Sequence, residues 1–599
     1  MMSSSTEKMG GAARWFRDLA QTLDDPGGRC LEDLKREAVA AVMTLAVEVA
    51  LCGPDVEEEG VRAWLRARLG PAEEAADRLG PLYESLLDLE LVRGASGQLR
   101  AVQPPRRARS DVHYTPPEVA RRIVEMALAP VVKGPGGALR PPAELASLRV
   151  CDPSMGCGVF LLASARALSS WLWESWRHHE GTGAFSMAEA RRAVVDTMLY
   201  GVDLDPIAVD VTRCALGLFA GGAGGSADHL LFGDALSAGP GDQVWGQAFA
   251  EVFESPRGGF DAVIGNPPYL FGERRPPVDE AAFEMCRGQW DVWWLFVERA
   301  VSWSALEGSF GLLLPDSVLT RESTRPLRRL MRSRASKLWL RHEGSVFGAG
   351  VSVVACCGWT AAGPPTMTYE RVVEGGVEVL DVDLGLDPDS GDDACLFWPP
   401  RRPEALLPLL LGDHVSLSRG EEVGKSSLEK VGAAEVLGRA EILAGEGVGA
   451  RYVQPRATHL IEPSRLVKSA SRYSAPKVVV VKTGGRVKAA IDREGHATLQ
   501  SVYNIHLKRG APPWMTLEFV CGLLNCEEVH RRFIAPFTSG KMLFPQITQR
   551  MLREIRLPEV SAAQAGEVSE AVRAAENAEV GAAERVQELF GPLFPGSAG

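Results

Sequence analysis

Residues 260–272, FDAVIGNPPYLFG, set an amide (Asn266), two rigid prolines (Pro267 and Pro268) and an aromatic ring (Tyr269) directly behind an apolar run that reads as a buried strand. In open α/β sheets ligands bind outside the carboxyl ends of the strands, so this tetrapeptide stands where such a sheet does its chemistry. Three further strand ends carry polar groups. In LRVCDPSMGCGVFLLASARAL (148–168) a strand closes on Asp152, a tight turn through Ser154, Gly156 and Gly158 follows, and a helix begins. The glycines let the backbone turn sharply and approach a ligand, while the free N–H groups of the helix start face a carboxylate or phosphate. The turn is not a GxGxxG dinucleotide fingerprint and holds no GK[ST]. In YGVDLDP, Asp203 stands where this fold places an acid to hydrogen-bond a ribose diol, and Asp205 fits better as the N-cap of the next helix. FGDAL closes the following strand with Asp234, which can accept from the exocyclic amine of a purine ring.

Four strand ends in one row need a sheet to carry them. From 112 to about 360, apolar strand-like runs (LRVCDP, MLYGVDLDP, LLFGDAL, FDAVIGNPPY, GSFGLLLPDS, SVVACCGW) alternate with helical patterns, which predicts a mainly parallel, doubly wound sheet. Ahead of it, LEDLKREAVAAVMTLAVEVAL and EEAADRLGPLYESLLDLELV space their apolar residues as helices do, and AVQPPRRARSD (101–111) is a linker. The expected organisation is α/β: a helical N-terminal domain over 1–105, a Rossmann-like sheet domain over 106–365, a connector over 366–404, an α+β domain over 405–560, and a helical tail over 561–599.

Composition narrows the classes. With 46% hydrophobic and 24% charged residues the chain is globular. No window approaches 18 consecutive apolar residues and no secretory signal opens the chain, so a cytoplasmic protein without a membrane partner is expected. Its eleven cysteines include no CxxC pair, which argues against structural zinc, and no metal is expected. The net charge of −12 hides an uneven distribution: between Arg451 and Pro558, 18 Lys plus Arg stand against 7 Asp plus Glu, a net of +11. A basic region inside an acidic chain is the footprint of an anionic partner.

The series YTPPEVARRIVEMAL, DPSMGCGVFL, GVDLDP, GDAL and GNPPY resembles the S-adenosylmethionine-dependent adenine-N6 DNA methyltransferases of the gamma arrangement, with the cofactor half first and target recognition last. Within them it is most similar to the Eco57I-like and TaqI-like enzymes of restriction-modification and phage-defence systems. The resemblance covers about 112–360 and, more loosely, 405–558. It implies Tyr114, Thr115 and Pro116 near the methionine part of the cofactor, Asp152, Ser154, Gly156 and Gly158 at its amino-acid end, Asp203 on the ribose and Asp234 on the adenine. Met155 and Cys157 stand where Cys and Ser are commoner, but no glycine is lost.

Resemblance and physics then account for the opening stretch together. An adenine amino nitrogen is a poor nucleophile, because its lone pair is delocalised into the ring. The Asn266 side-chain oxygen and the Pro267 carbonyl are two acceptors that can hold its N–H groups and favour a pyramidal nitrogen aimed at the methyl donor. The base must leave the duplex, so Tyr269 is expected to stack on it, and Tyr269→Phe to be tolerated far better than Tyr269→Ala. Cytosine-N4 enzymes usually show Ser-Pro-Pro, which makes adenine the expected target. The segment HEGSVFGAGVSVVACCGW offers Phe347 or Trp359 as the second aromatic of the sandwich.

In the basic region, LGDHVSLSRGEEVGKSS, PKVVVVKTGGRVKAAIDREGHATLQSVYNIHL and FTSGKMLFPQITQRMLREIRLP resemble the recognition domain of these enzymes. Lys482, Arg486, Lys488 and Lys541 are candidate phosphate anchors on double-stranded DNA. Other subunits of a restriction or defence system are further candidate partners. Two alternatives stay open: a protein-glutamine N5-methyltransferase, which also uses Asn-Pro-Pro-Tyr, and a DNA-recognition subunit that does not catalyse. No lysine lies between Lys35 and Lys133, so GPDVEEEG lacks the ExK partner of a PD…ExK nuclease.

Overall fold

The structure is a computed structural model that describes, with interruptions, residues 39–43, 69–102, 115–383, 409–534 and 547–594. It divides into two compact units, Met1–Pro400 and Arg401–Gly599.

In the first unit a helix, α1 (Ala72–Leu87), precedes a hairpin of β1 (Glu90–Arg93) and β2 (Leu99–Val102). Then follow α2 (Pro117–Leu128), β3 (Val150–Asp152), α3 (Val159–His179), α4 (Met187–Thr197), β4 (Leu199–Asp203), α5 (Pro206–Phe219), β5 (Leu230–Phe232), β6 (Phe260–Gly265), α6 (Val292–Trp303), β7 (Ser304–Pro315), α7 (Arg325–Arg334), β8 (Lys337–Gly344), β9 (Val353–Trp359), β10 (Thr366–Val373) and β11 (Gly376–Asp383). Among the described residues nine of these strands form one sheet in the order β11-β10-β8-β9-β7-β6-β3-β4-β5. From β5 to β7 every pairing is parallel, and β9 runs antiparallel between β7 and β8. The chain winds from β3 outward to β5, then returns to β6 on the other side of β3. The sheet therefore reverses direction between β3 and β6, where a cleft opens at the carboxyl ends.

The doubly wound reading of the sequence is thus realised. β3 and β6 are buried along their whole length, which is why they read as apolar runs rather than alternating ones. Helix starts follow local chemistry: the Asp205 side chain accepts from the Ile207 N–H at 2.9 Å with Pro206 in the first turn of α5, and Ser186 and Glu189 form a reciprocal capping box on α4. Residues 366–383, expected within a connector, instead add β10 and β11 to the sheet edge. Their β-branched, alternating residues pair in register from Thr366↔Asp383 to Val373↔Gly376. Ala75, Leu79, Tyr83 and Leu86 of α1 belong to the same apolar core as Leu161 and Leu216 under the sheet.

The second unit contains β12 (Val415–Arg419), β13 (Glu429–Lys430), β14 (Ala440–Leu443), β15 (His459–Ile461), β16 (Lys477–Val481), β17 (Ala489–Asp492), β18 (Ala497–Thr498) and β19 (Val502–Leu507), followed by α8 (Leu517–Asn525), α9 (Ala562–Glu576) and α10 (Ala582–Phe590). Two four-stranded sheets result, β12-β19-β16-β17 and β13-β15-β14-β18. The tail helices α9 and α10 do not stand apart: Val568, Val572, Val586 and Phe590 share a core with Phe519 of α8 and Ile505 of β19.

At the centre of this unit a fully buried Lys477 donates from Nζ to Asp492 Oδ2 at 2.5 Å and to the carbonyls of Tyr473 and His496 at 3.0 Å. Asp492 also receives the backbone N–H groups of Glu494, Gly495 and His496 and the His496 ring. Burial alone would raise the Asp492 carboxyl, but the bonds and charges of His496 and Lys477 outweigh it and hold it below the usual range. The hydrogen bond to Asp492 raises His496 above its ordinary value. Lys477→Met removes the lysine partner of a buried ion pair, leaving Asp492 to His496 and the backbone N–H groups, and the second unit should lose about 3–5 kcal/mol in denaturant unfolding followed by pulsed proteolysis of the full chain. The Asp492 contribution is present above its unfolded value of about 3.9 and is lost as pH falls through the lower folded value; that of His496 is complete below about 6.5 and is lost as pH rises through its higher folded value. The unit should therefore be most stable between about pH 4 and 6.5.

Candidate active site

β3 delivers Asp152 to the cleft, fully buried. The Ser154 N–H donates to its Oδ1 at 3.0 Å, while Oδ2 has no hydrogen-bond partner among the described residues. Burial, reinforced by the nearby Asp203, pushes this carboxyl up to about 8 against the opposing Ser154 bond. The turn that follows ends at Gly158, whose φ of 77° lies in the left-handed region; a Cβ there would fall 2.5 Å from Thr212 Cγ2. Thr212 Oγ1 in turn donates to the Gly156 carbonyl at 2.8 Å.

β4 presents Asp203 alongside. Its Oδ2 accepts from the Gly156 N–H at 2.8 Å and its Oδ1 from the Asp205 N–H at 2.9 Å, so the acid and the glycine turn are locked to each other. Burial raises Asp203 in spite of these bonds. β5 leads to Asp234, whose Oδ1 accepts from the Leu236 N–H at 2.9 Å.

β6 ends in Gly265 and Asn266. A Cβ on residue 265 would lie 2.6 Å from Asp152 Oδ1, so only glycine brings the backbone of β6 this close to β3. The Asn266 Nδ2 donates to Thr115 Oγ1 at 3.1 Å and its Oδ1 accepts from the Tyr269 hydroxyl at 2.7 Å. That hydroxyl also lies 3.0 Å from the Leu313 carbonyl of β7. Burial pushes the phenol well above its ordinary value, which keeps it a neutral donor. The amide is therefore held at both ends, by Thr115 at its nitrogen and by Tyr269 at its oxygen.

These strand ends surround one cavity of about 960 Å³. Of the residues singled out in the sequence, Thr115, Ser154, Gly156, Asp203, Asp234, Asn266, Pro267 and Tyr269 line it. Asp152 and Gly158 stand behind it, and Pro116 starts α2, its carbonyl accepting from the Val119 N–H at 3.0 Å. Trp359 does not reach it. It is buried in β9 with Nε1 donating to the Ala127 carbonyl at 3.3 Å and the Lys337 ammonium 5.6 Å from its ring, a core residue and not half of a sandwich. Tyr114, Phe347 and Lys541 lie outside the described residues. In the second unit Arg486 forms a 2.7 Å ion pair with Glu527, Lys488 is exposed, and burial lowers Lys482, with Arg419 adding to the effect.

The sequence reading passed over three features. Leu204 and Phe232 are large apolar residues left 62% exposed, and both line the cavity, where they offer apolar surface to a ligand. Asp291 immediately precedes α6 near Tyr269, and burial pushes it up to about 6. Tyr83, Glu84 and Leu87 of α1 form part of the cavity wall. Position beside a strand-end acid could have marked Leu204 and Phe232; nothing local marks α1. Among the described residues no helix is long and apolar enough to cross a membrane, and no group of three or more His, Cys, Asp or Glu could hold a metal ion.

Two segments match known protein families: an Eco57I restriction-modification methylase over residues 197–343 and a TaqI-like C-terminal specificity domain over residues 440–557. The type II restriction enzyme and methyltransferase RM.Eco57I of Escherichia coli is 20% identical over 289 residues, 43% of this chain but 28% of the relative. The chain thus spans well under half of that relative's length. In fold it is similar to the type IIL restriction-modification enzyme MmeI, solved in complex with DNA, at a TM-score of 0.58 and 12% identity over 98% of this chain and 96% of the other. A DrdV–DNA complex aligns at 0.55 and 12% identity over 96% and 70% of the two chains. The Eco57I-like and TaqI-like resemblance read from the motifs is borne out.

The contact between residue 265 and Asp152 yields a measurable coupling. Gly265→Ala should cost about 1–3 kcal/mol of stability by overpacking. In the Gly265→Ala/Asp152→Ala double variant the clashing oxygen is gone, so denaturant unfolding should show less loss than the sum of the singles. Strict additivity would place the two residues out of contact.

Proposed function

Taking the chain as an Eco57I-like and TaqI-like restriction-modification methylase, we propose that it transfers a methyl group from S-adenosylmethionine to the N6 amino group of an adenine flipped out of duplex DNA, as the modification component of a restriction-modification or phage-defence system. The observation that carries this reading is the Asn266 amide, clamped between Thr115 and Tyr269 at the wall of the cavity.

The residues fit the cofactor. The Oδ2 of buried Asp152, without a partner among the described residues, suits an ammonium group, Asp203 a ribose diol, and Leu204 and Phe232 an adenine ring with Asp234 at its amine. When bound, S-adenosylmethionine supplies an electrophilic methyl group on a sulfonium centre. The protein supplies position. Asn266 Oδ1 accepts from one N–H of the target amine, and the Pro267 carbonyl takes the other. The Tyr269 ring stacks on the base while its hydroxyl keeps the Asn266 oxygen turned toward the amine. With Trp359 in the core, Phe347 is the remaining candidate for the opposite face. Lys482, Lys488 and Lys541 anchor phosphates; Arg486 joins them by exchanging an exposed carboxylate partner, which costs little.

Transfer of radiolabelled methyl groups into duplex DNA, with methylation-aware sequencing, tests the reaction. Asn266→Ala should lower the single-turnover rate by about 10²-fold or more, because a preorganised acceptor is lost. Calorimetry should show cofactor affinity nearly intact. Tyr269→Phe keeps the ring but releases the amide, so it should fall between wild type and Tyr269→Ala, about 5- to 30-fold down for the loss of one buried hydrogen bond. A Phe variant at wild-type rate would leave stacking as the whole role of Tyr269.

Asp152 adds a pH dependence. Its carboxyl, raised to about 8, is largely protonated near neutral pH, whereas an ammonium partner requires the carboxylate. Cofactor binding should therefore release a proton, and affinity should rise with pH until about 8. Calorimetry in buffers of different ionisation enthalpy reads this directly, and heats independent of buffer would contradict it.

A further inference from the structure

The amino-terminal helix α1 carries the last turn of its sequence into the cavity. Ala75, Leu79, Leu82 and Leu86 recur at helical spacing and are buried in the sheet's apolar core. Pro81 lies within the continuous helix and removes one backbone donor ahead of its final turn. That turn brings Tyr83, Glu84 and Leu87 to the wall of the cavity that Asn266, Asp203 and Asp205 also line. The buried Tyr83 hydroxyl donates to Asp205 Oδ2. Asp205 is already engaged twice more: its Oδ1 caps α5 through the Ile207 N–H at 2.9 Å, and its own N–H donates to Asp203 Oδ1 at 2.9 Å. Asp203 Oδ2 then holds the Gly156 N–H at 2.8 Å. A continuous chain of bonds runs from Tyr83 through Asp205 and Asp203 to the glycine turn.

We propose that α1 is the outer wall of the adenosyl-cofactor site and that Tyr83 is a positioning residue, holding Asp205 so that Asp203 keeps its place against the ribose diol. The inference rests on the cofactor reading given above and adds to it a role for the segment ahead of the sheet. Without the hydroxyl, Asp205 Oδ2 loses its bond from α1 and the 203–205 loop gains rotational freedom, whereas a phenylalanine ring preserves the packing of Tyr83 in the core. Because Leu87 and Glu84 share the wall, a bound cofactor is covered by α1, and its release requires the last turn to move.

The test uses the full chain. Isothermal titration with S-adenosylmethionine should show Tyr83→Phe binding about 5- to 20-fold more weakly, at or below the low end of the scale of one hydrogen bond to a charged group because the effect is relayed through Asp205, with the melting temperature of the cofactor-free protein close to wild type. In the methyl-transfer assay the defect should be carried by KM for the cofactor. Hydrogen–deuterium exchange should slow across residues 82–87 of the wild type when S-adenosylmethionine is added. Unchanged affinity in Tyr83→Phe overturns the positioning role, and exchange in 82–87 indifferent to the cofactor overturns the wall. A wild-type chain that fails to bind S-adenosylmethionine at all overturns the cofactor reading itself, and this inference with it.

Discussion

The site depends on how closely β6 can lie against β3. Parallel neighbours in a sheet are fixed by backbone hydrogen bonds, but their ends are set by side chains, and here the missing Cβ of Gly265 admits Asp152 Oδ1 to a distance no other residue would allow. Everything at the cleft follows from that approach. Asn266 emerges next to the glycine turn, with Ser154 Oγ 3.4 Å from its carbonyl, and the amide meets Thr115 from the segment leading into α2. A bulkier residue at 265 would push the two strand ends apart and separate the amide from the acids.

A second constraint is electrostatic. Asp203, Asp205 and Asp234 line one partly apolar cleft with Asp152 behind it, and burial raises the proton affinity of Asp152 and Asp203, with Asp203 adding to the rise at Asp152 and Asp205 to that at Asp203. The structure limits this cost with backbone N–H groups: Asp203 takes two, Asp205 caps a helix, and Asp234 and Asp152 take one each. The potential that remains favours a ligand carrying positive charge and disfavours a polyanion. Contact with a polyanion must then be supported elsewhere, and the net +11 between Arg451 and Pro558 is the surplus that can do it.

Much of this was legible in the sequence where the signal was local. The four strand ends read out because parallel buried strands are apolar throughout and stop abruptly at a polar residue, and Asp205 read as a helix cap because capping involves the next two or three residues only. Trp359 misled because an aromatic beside a sheet has the same local sequence whether it faces a cleft or the core; its partners, Ala127 and Lys337, are distant in the chain. The hairpin of β10 and β11 was hidden by the Gly and Pro around it, although its own residues alternate as strands do. The place of Tyr83 beside Asp205 could not be read at all, since 122 positions separate them and neither segment carries a mark of the other. Tyr269 was half legible: its ring predicts stacking, but the bonds of its hydroxyl to Asn266 and Leu313 depend on where β7 runs.

Two fully buried aspartates show how structure separates scaffold from site. Asp492 sits in the second unit with both oxygens occupied, by three backbone N–H groups, a lysine and a histidine, and its carboxyl is driven down. Asp152 is just as buried, yet one oxygen has no partner among the described residues and its carboxyl is driven up. A fold under selection for stability alone would satisfy or replace such an atom, because leaving it unmade costs more than the bond would return. Its place at the carboxyl end of β3 is one that the ammonium group of the proposed cofactor would satisfy from outside the chain.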